Sequence, residues 1–339
     1  MVAKKHKAVT LLFLDHILKR FKEEGIKYWL DYGSLLGAVR ESGIIPHDYD
    51  IDIGVWSKDQ KVIRKIILEE ESGFAFNWQY CDWNGNYNMW NIDSVKLDGQ
   101  ISDIKLDIYY FEKYKKGTMA GPLVYTESEA PYWKDRKGKC FLSKSYYYEN
   151  LITTDFENRK FPIPKYHDKY LPYLYGEDYI DVKKIRGEDY NDTEMPVGKG
   201  HDPTTGYVEG VFDMFHVGHS RMLDRCTKIF DKVVAGVHSD ETVFQYKKKK
   251  PIIPYEHRVE ILKSCKFVDK VIEAPLFTDH IDGVDFLNNN DLDYLVHGKT
   301  DQKFLRYHYP TIMDENRLFL LEETKCYHTA DLLEKIQVN

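Results

Sequence analysis

Apolar residues recur at helical spacing at the start of the chain, with Val9, Phe13, Ile17 and Phe21 on one face. That period predicts an amphipathic helix running to about Glu24. The run Lys27 to Tyr32 reads as a strand, followed by a turn at Gly33-Ser34, a short helix to Arg40 and a Gly/Pro loop. From Tyr49 to Val55 polar and apolar residues alternate. A strand there sets Asp48, Asp50 and Asp52 on one face and packs Tyr49, Ile51 and Ile53 inward. Another strand, Ile104 to Phe111, carries Asp107, whereas residues 112–150 show little regular pattern.

The pattern changes after a stretch from Arg186 to Thr205 that is rich in Gly, Asp, Asn, Thr and Pro and lacks apolar periodicity. We place a linker at 191–205, between domains 1–190 and 206–339. Beyond it, short apolar runs alternate with helical patterns: Tyr207 to Gly210 with a helix from Val217, Lys232 to Val237 with a helix from Glu241, then Lys270 to Ile272, Tyr294 to His297, and Leu318 to Leu321 before a final helix. Such alternation predicts a parallel sheet with helices on both faces. Ligands of these sheets sit at the carboxyl ends of the strands. The fold class is therefore α/β, with a less regular first domain and a parallel-sheet second one.

A length of 339 residues suits two domains, each with its own core. A net charge of -7 gives no field for a nucleic-acid backbone, and a small charged metabolite fits better. The five cysteines are scattered and never form C-x-x-C, which argues against a disulfide framework or a cysteine zinc site and for a reducing, cytoplasmic setting. Asp15 interrupts the first apolar stretch, so it reads as a helix rather than a signal peptide. No run approaches the roughly 18 apolar residues that span a bilayer.

Two clusters carry candidate chemistry. Alternating carboxylates alone usually mark a solvated sheet face. Here Gly33-Ser34 supplies backbone N–H groups for phosphate, and Asp107 adds a third carboxylate, so Asp50, Asp52 and Asp107 make a site for Mg²⁺ or Mn²⁺. The box His216-Val217-Gly218-His219 follows a strand and Gly210-Val211-Phe212-Asp213, where a helix N-terminus favours phosphate.

Gly33-Ser34, the D-x-D pair and the later Asp107 resemble the nucleotidyltransferase superfamily, implying a mixed-sheet first domain. The match narrows with Tyr28 through Arg40, Gly43-Ile44-Ile45-Pro46, Asp48 to Asp52, Phe161-Pro162-Ile163-Pro164, and Tyr170 through Tyr179. These segments resemble the LicD and fukutin-related phospho-alcohol transferases, which move a phospho-alcohol from a CDP-alcohol to a glycan or glycolipid hydroxyl. The resemblance implies that Asp50 and Asp52 hold metal, that Asp107 completes the site or takes the acceptor proton, and that Gly33, Ser34 and Arg40 hold phosphate oxygens. His47 and Tyr49 depart from the family's usual Trp-Asp-Asp-Asp.

In the second half, the Gly210-to-His219 segment and Tyr255-Glu256-His257-Arg258 resemble the Rossmann-like cytidylyltransferases that activate alcohol phosphates with CTP. By that resemblance His216 and His219 stabilise the α-phosphate, Gly210, Phe212 and Asp213 line the substrate, and Lys247, Lys249 and Arg258 meet the triphosphate. Lys299 and Thr329 contact substrate, and a homodimer is implied. The family's late arginine signature is replaced by Glu322-Glu323-Thr324-Lys325-Cys326-Tyr327-His328-Thr329. Trp78, Tyr80, Trp83, Tyr87 and Trp90, or Tyr146-Tyr147-Tyr148, could cage a trimethylammonium or stack on sugar rings, but such residues are more often core or interface.

The expected function is bifunctional: a CDP-alcohol is made from CTP and a phospho-alcohol of the phosphocholine or phosphoethanolamine class, and the phospho-alcohol is then passed to a carbohydrate hydroxyl. Two alternatives stay open. The second half binds CTP or CDP-alcohol without catalysis, or the first half is a nucleotidyltransferase acting on an antibiotic or nucleic acid.

Overall fold

The computed structural model describes residues 3–46, 48–68, 74–81, 89–98, 100–102, 104–114, 117, 119–122, 141–181, 200–277, 282–298 and 300–322. The chain divides into two compact units, Met1–Asp202 and Pro203–Asn339.

The first unit opens with α1 (Ala3–Glu23), which buries Phe13, Ile17 and Phe21 completely, the face its period predicts. Next come β1 (Tyr28–Leu30), α2 (Tyr32–Glu41), β2 (Asp50–Trp56) and α3 (Gln60–Leu68). β3 (Ala75–Cys81), β4 (Met89–Leu97), β5 (Gln100–Ser102) and β6 (Lys105–Tyr114) follow, then β7 (Met119–Pro122) and β8 (Phe141–Lys144). β6 is the hub of a mixed sheet: it runs parallel to β2 and antiparallel to β4 and β7. α4 (Tyr146–Glu149), a hairpin of β9 (Leu151–Phe156) and β10 (Arg159–Pro164), and α5 (His167–Tyr175) complete the unit with β11 (Gly200–His201).

Three expectations change. Gly33 and Ser34 lie inside α2 rather than in a turn before it, because Asp31 caps the helix by accepting the Tyr32 N–H. Tyr49 points outward, 52% exposed, because the ladder to β6 begins only at Asp50 and leaves Tyr49 at the mouth of the sheet. Part of the expected linker is structured: β11 pairs in parallel with β8, and Thr205 already belongs to the next strand. Tyr146, Tyr147 and Tyr148 are core residues, as is Trp90, whose indole N–H donates to Tyr110. Trp83 and Tyr87 lie outside the described residues.

The second unit contains β12 (Thr205–Gly210), α6 (Val217–Thr227), β13 (Lys232–His238), α7 (Asp240–Lys247), α8 (Tyr255–Lys263) and β14 (Lys270–Ala274). It continues with α9 (Gly283–Asn289), β15 (Tyr294–Gly298), α10 (Gln302–His308), α11 (Pro310–Asp314) and β16 (Leu318–Leu321). The five strands are all parallel, in the order β14-β13-β12-β15-β16. Chain direction across the sheet reverses at β12, so a crevice opens beside the carboxyl ends of β12 and β15. The expected last helix falls outside the described residues.

Candidate active sites

In the first unit, register assembles the carboxylates. Asp52 on β2 and Asp107 on β6 are direct partners in the parallel ladder, and Asp50 lies two residues before Asp52 on the same face. Oxygens of Asp50, Asp52 and Asp107 fall within 4.8 Å of one another. Burial, and then the charges of Asp50, Asp107, Asp48 and Asp31, hold the Asp52 carboxyl well above the usual carboxylate range. An all-oxygen set of mutually repelling carboxylates is the donor set that a hard divalent cation satisfies, so these residues fit Mg²⁺ or Mn²⁺.

The surrounding residues hold this set in place. The Asp52 N–H donates to the buried Ser34 hydroxyl at 2.8 Å, and the Asp31 N–H donates to the Asp52 carbonyl at 3.1 Å. Asp31 itself accepts from Trp29 Nε1, the Tyr32 N–H and the Tyr170 hydroxyl, while burial pushes its carboxyl up to about 6. Gly33 leaves room for the acids: a Cβ there would stand 2.7 Å from Asp48 Oδ2 and 3.5 Å from Asp52 Oδ2. Arg40 stands in the last turn of α2 and pairs with Glu41 at 3.0 Å, whereas Gly33 and Ser34 stand in the first turn.

In the second unit, the H-x-x-H spacing builds a reciprocal cap on α6. His216 Nδ1 accepts the Gly218 N–H at 3.1 Å, and His219 Nδ1 accepts the His216 N–H at 3.3 Å. The rings stack with centroids 4.0 Å apart. Because both Nδ1 atoms accept, the neutral rings carry their protons on Nε2, a tautomer assigned from this network. Burial first, then the His216 charge, lower His219 to about 4 against the pull of Asp213. His219 is therefore a neutral donor at physiological pH.

Two expected ligands are engaged elsewhere. Arg258 is fully buried and donates to the Val211, His238 and Ile253 carbonyls and to Asp240, so it ties loops at the carboxyl edge of the sheet together rather than reaching a triphosphate. Asp213 accepts the N–H groups of Met214, Ile252 and Ile253, which anchors the loop before α8. Phe212 is buried with its ring 5.4 Å from that of His219, and Gly210 ends β12 beside it. Lys247 and Lys249 are exposed, with the Lys247 ammonium 5.6 Å from the Tyr246 ring centroid. Lys299 and Thr329 lie outside the described residues.

Sequence reasoning missed Glu209. It sits at the carboxyl end of β12 and accepts from the Tyr309 hydroxyl at 2.9 Å. Its Oε2 is sealed from solvent without a hydrogen bond, as is His238 Nδ1 at the end of β13. The Glu209 charge also acts on Tyr207 and Tyr246. Gly236, the β13 partner of Glu209, is what admits Tyr207: a Cβ there would lie 2.2 Å from the Tyr207 hydroxyl oxygen. The available signal was a carboxylate in phase with a buried tyrosine in an otherwise apolar strand leading into the histidine box.

Burial pushes the Glu209 carboxyl from 4.5 up to about 7, with hydrogen bonding, foremost from Tyr309, pulling the other way. The folded protein holds this proton where the unfolded chain has lost it. Stability therefore declines as pH rises from 4.5 to about 7, by about 3 kcal/mol for this group. Glu209→Gln is expected to remove that slope, and urea titrations at pH 5 and pH 8 check it; an unchanged slope would count against the assignment.

Together the sheets and the two clusters define two α/β units on one chain, one with a carboxylate set and one with a histidine pair at a helix start. Residues 25–166 match the LicD/FKTN/FKRP nucleotidyltransferase domain, and residues 207–335 match the cytidylyltransferase-like domain. The chain therefore carries a LicD-type domain followed by a cytidylyltransferase-like domain. Ethanolamine-phosphate cytidylyltransferase of Dictyostelium discoideum is 34% identical over 97 residues, 29% of this chain and 26% of that protein. Choline-phosphate cytidylyltransferase of Saccharomyces cerevisiae is 27% identical over 165 residues, 46% of this chain and 36% of that protein. The chain thus spans about a quarter to a third of the length of these relatives. A solved structure, the lipopolysaccharide core biosynthesis protein from Thermoplasma volcanium GSS1, aligns with 37% of this chain and 100% of its own at 23% identity, with a TM-score of 0.31. No described helix is long and apolar enough to cross a membrane.

Proposed function

We propose that the second unit makes a CDP-alcohol from CTP and a cationic phospho-alcohol, and that the first unit transfers the phospho-alcohol to a glycan or glycolipid hydroxyl. The observation that carries this reading is that each unit holds its own polar cluster: the carboxylate triad in one, the histidine pair with its Nε2 donors in the other.

In the first reaction a phosphate oxygen of the phospho-alcohol attacks the α-phosphorus of CTP. The bond to the β-phosphate oxygen breaks and pyrophosphate leaves. His216 and His219 donate from Nε2 to the α-phosphate oxygens as charge builds there, so catalysis is positioning and electrostatics with no covalent intermediate. Glu209, at the carboxyl end of β12 beside Tyr309, supplies a negative charge that attracts the ammonium of the alcohol, which favours choline or ethanolamine over a polyol. The phospho-alcohol should bind more tightly as pH rises through about 7, because only the ionised carboxylate attracts the cation.

In the second reaction the acceptor hydroxyl attacks the distal phosphorus of the CDP-alcohol and CMP leaves. Asp50, Asp52 and Asp107 hold the divalent cation, which when bound neutralises charge on the phosphate oxygens. Asp107 would also take the proton of the attacking hydroxyl.

The test is to incubate the full chain with Mg-CTP and, in turn, phosphocholine, phosphoethanolamine, glycerol 3-phosphate and ribitol 5-phosphate while following pyrophosphate. Release with a cationic alcohol phosphate is expected, followed by CMP release when a glycan acceptor is added. The arginine signature replaced by the segment from Glu322 favours a second reading, in which this unit only binds CTP or CDP-alcohol. Silence with all four compounds, together with CTP or CDP-alcohol binding by calorimetry, would favour that reading instead.

A further inference from the structure

The face of the first sheet that carries the carboxylates also carries a layer of rings. Trp29 packs against Trp56, Phe111 and Tyr148, and these are buried. Toward the carboxylates the layer continues into Tyr32 and Tyr109, which are only half-buried. Tyr109 lies two residues beyond Asp107 on the same face of β6, so its ring adjoins that carboxylate. Tyr32 opens α2 next to Asp31, and its ring meets that of Tyr109 with centroids 5.0 Å apart and planes at 65°. The backbone of Tyr32 is left-handed, with φ of 43°, a conformation that a bulky non-glycine residue rarely adopts. The Asp31 cap on the Tyr32 N–H secures it. Tyr32 thus keeps a strained backbone with its ring against Tyr109, which follows Asp107 on the same face of β6.

We infer that Tyr32 and Tyr109 form an aromatic corner that receives the cationic head group of the CDP-alcohol while its phosphate lies at Asp50, Asp52 and Asp107. The inference rests on the transferase reading of this unit and adds the residues that select the alcohol. Two facts support it. The short ethylene link of choline or ethanolamine keeps the nitrogen close to the phosphate, and Tyr109 directly adjoins Asp107. A cation is attracted to an aromatic face within about 6 Å of the ring centroid, and two rings set at an angle offer two faces.

The experiment compares CDP-choline with its uncharged isostere, CDP-3,3-dimethylbutanol, as donors to the full chain with Mg²⁺ and an added glycan acceptor, reading the CMP released as the phospho-alcohol passes to the acceptor hydroxyl or to water. The ratio of the two kcat/KM values does not depend on the fraction of protein folded. The wild-type chain should prefer the charged donor. Tyr109→Leu should reduce that preference roughly tenfold, Tyr32→Leu should reduce it in the same direction, and Tyr109→Phe should retain it because the ring and not the hydroxyl makes the contact. A wild-type enzyme indifferent to charge, or both leucine variants with the wild-type ratio, overturns the inference while leaving transfer intact. No CMP release from any donor would overturn the transfer reading instead, and the corner would then be judged on the same ratio of calorimetric affinities.

Discussion

Asp52→Asn is expected to lower transfer from a supplied CDP-alcohol by on the order of 10³-fold or more while leaving pyrophosphate release by the second unit nearly unchanged. The substitution removes one charge from a set whose oxygens lie within 4.8 Å of one another and takes away no core volume. Asp52 is buried and surrounded by like charges that raise its carboxyl well above the usual range. In the absence of divalent cation the asparagine variant should therefore be more stable than wild type at neutral pH, where the strained charge is gone. Saturating Mg²⁺ should abolish or reverse that advantage. Transfer rates, Mn²⁺ binding by electron paramagnetic resonance and urea titrations with and without Mg²⁺ check the three parts. Wild-type transfer together with wild-type metal binding in this variant would sink the metal assignment.

His216→Ala is expected to slow pyrophosphate release by on the order of 10²- to 10³-fold, the usual cost of losing one preorganised donor to developing charge. Transfer from externally supplied CDP-alcohol should persist, because Asp50, Asp52 and Asp107 belong to the other unit. The substitution also removes the acceptor of the Gly218 N–H, a helix cap worth about 1 kcal/mol. His216→Asn separates the two roles: asparagine restores a cap but not a donor from Nε2, so the helix should recover and the rate should not. Unchanged pyrophosphate release in either variant would remove the histidine from catalysis, and loss of both activities in a folded protein would show that the two sites are not independent.

The parts of these sites that could be read beforehand are those with local causes. A helical period set the buried face of α1, and strand alternation set Asp50 and Asp52 on one side of β2. The spacing of His216 and His219 is the spacing at which each ring reaches the other's backbone across one helical turn. Misreadings arose where a tertiary or capping interaction outweighed a residue's usual preference. Gly33 suggested a turn, but the Asp31 cap starts the helix one residue earlier. Arg258 suggested a phosphate ligand, yet a buried guanidinium with three carbonyls and a carboxylate around it is already satisfied by its own fold.

The sequence by itself determined which residues share a face, because side-chain direction follows from backbone period within a few residues. It also determined the cap that orients both histidine rings, since that geometry closes within one turn. Tertiary structure alone decided that Asp107 pairs with Asp52 and that Tyr309 reaches Glu209 from 100 positions away. Tertiary structure likewise decided that Tyr32 and Tyr109 meet at a corner while Tyr146, Tyr147 and Tyr148 disappear into the core. The reason is that register between distant strands, and which aromatic ring is sealed, depend on the summed packing of segments that no local pattern relates.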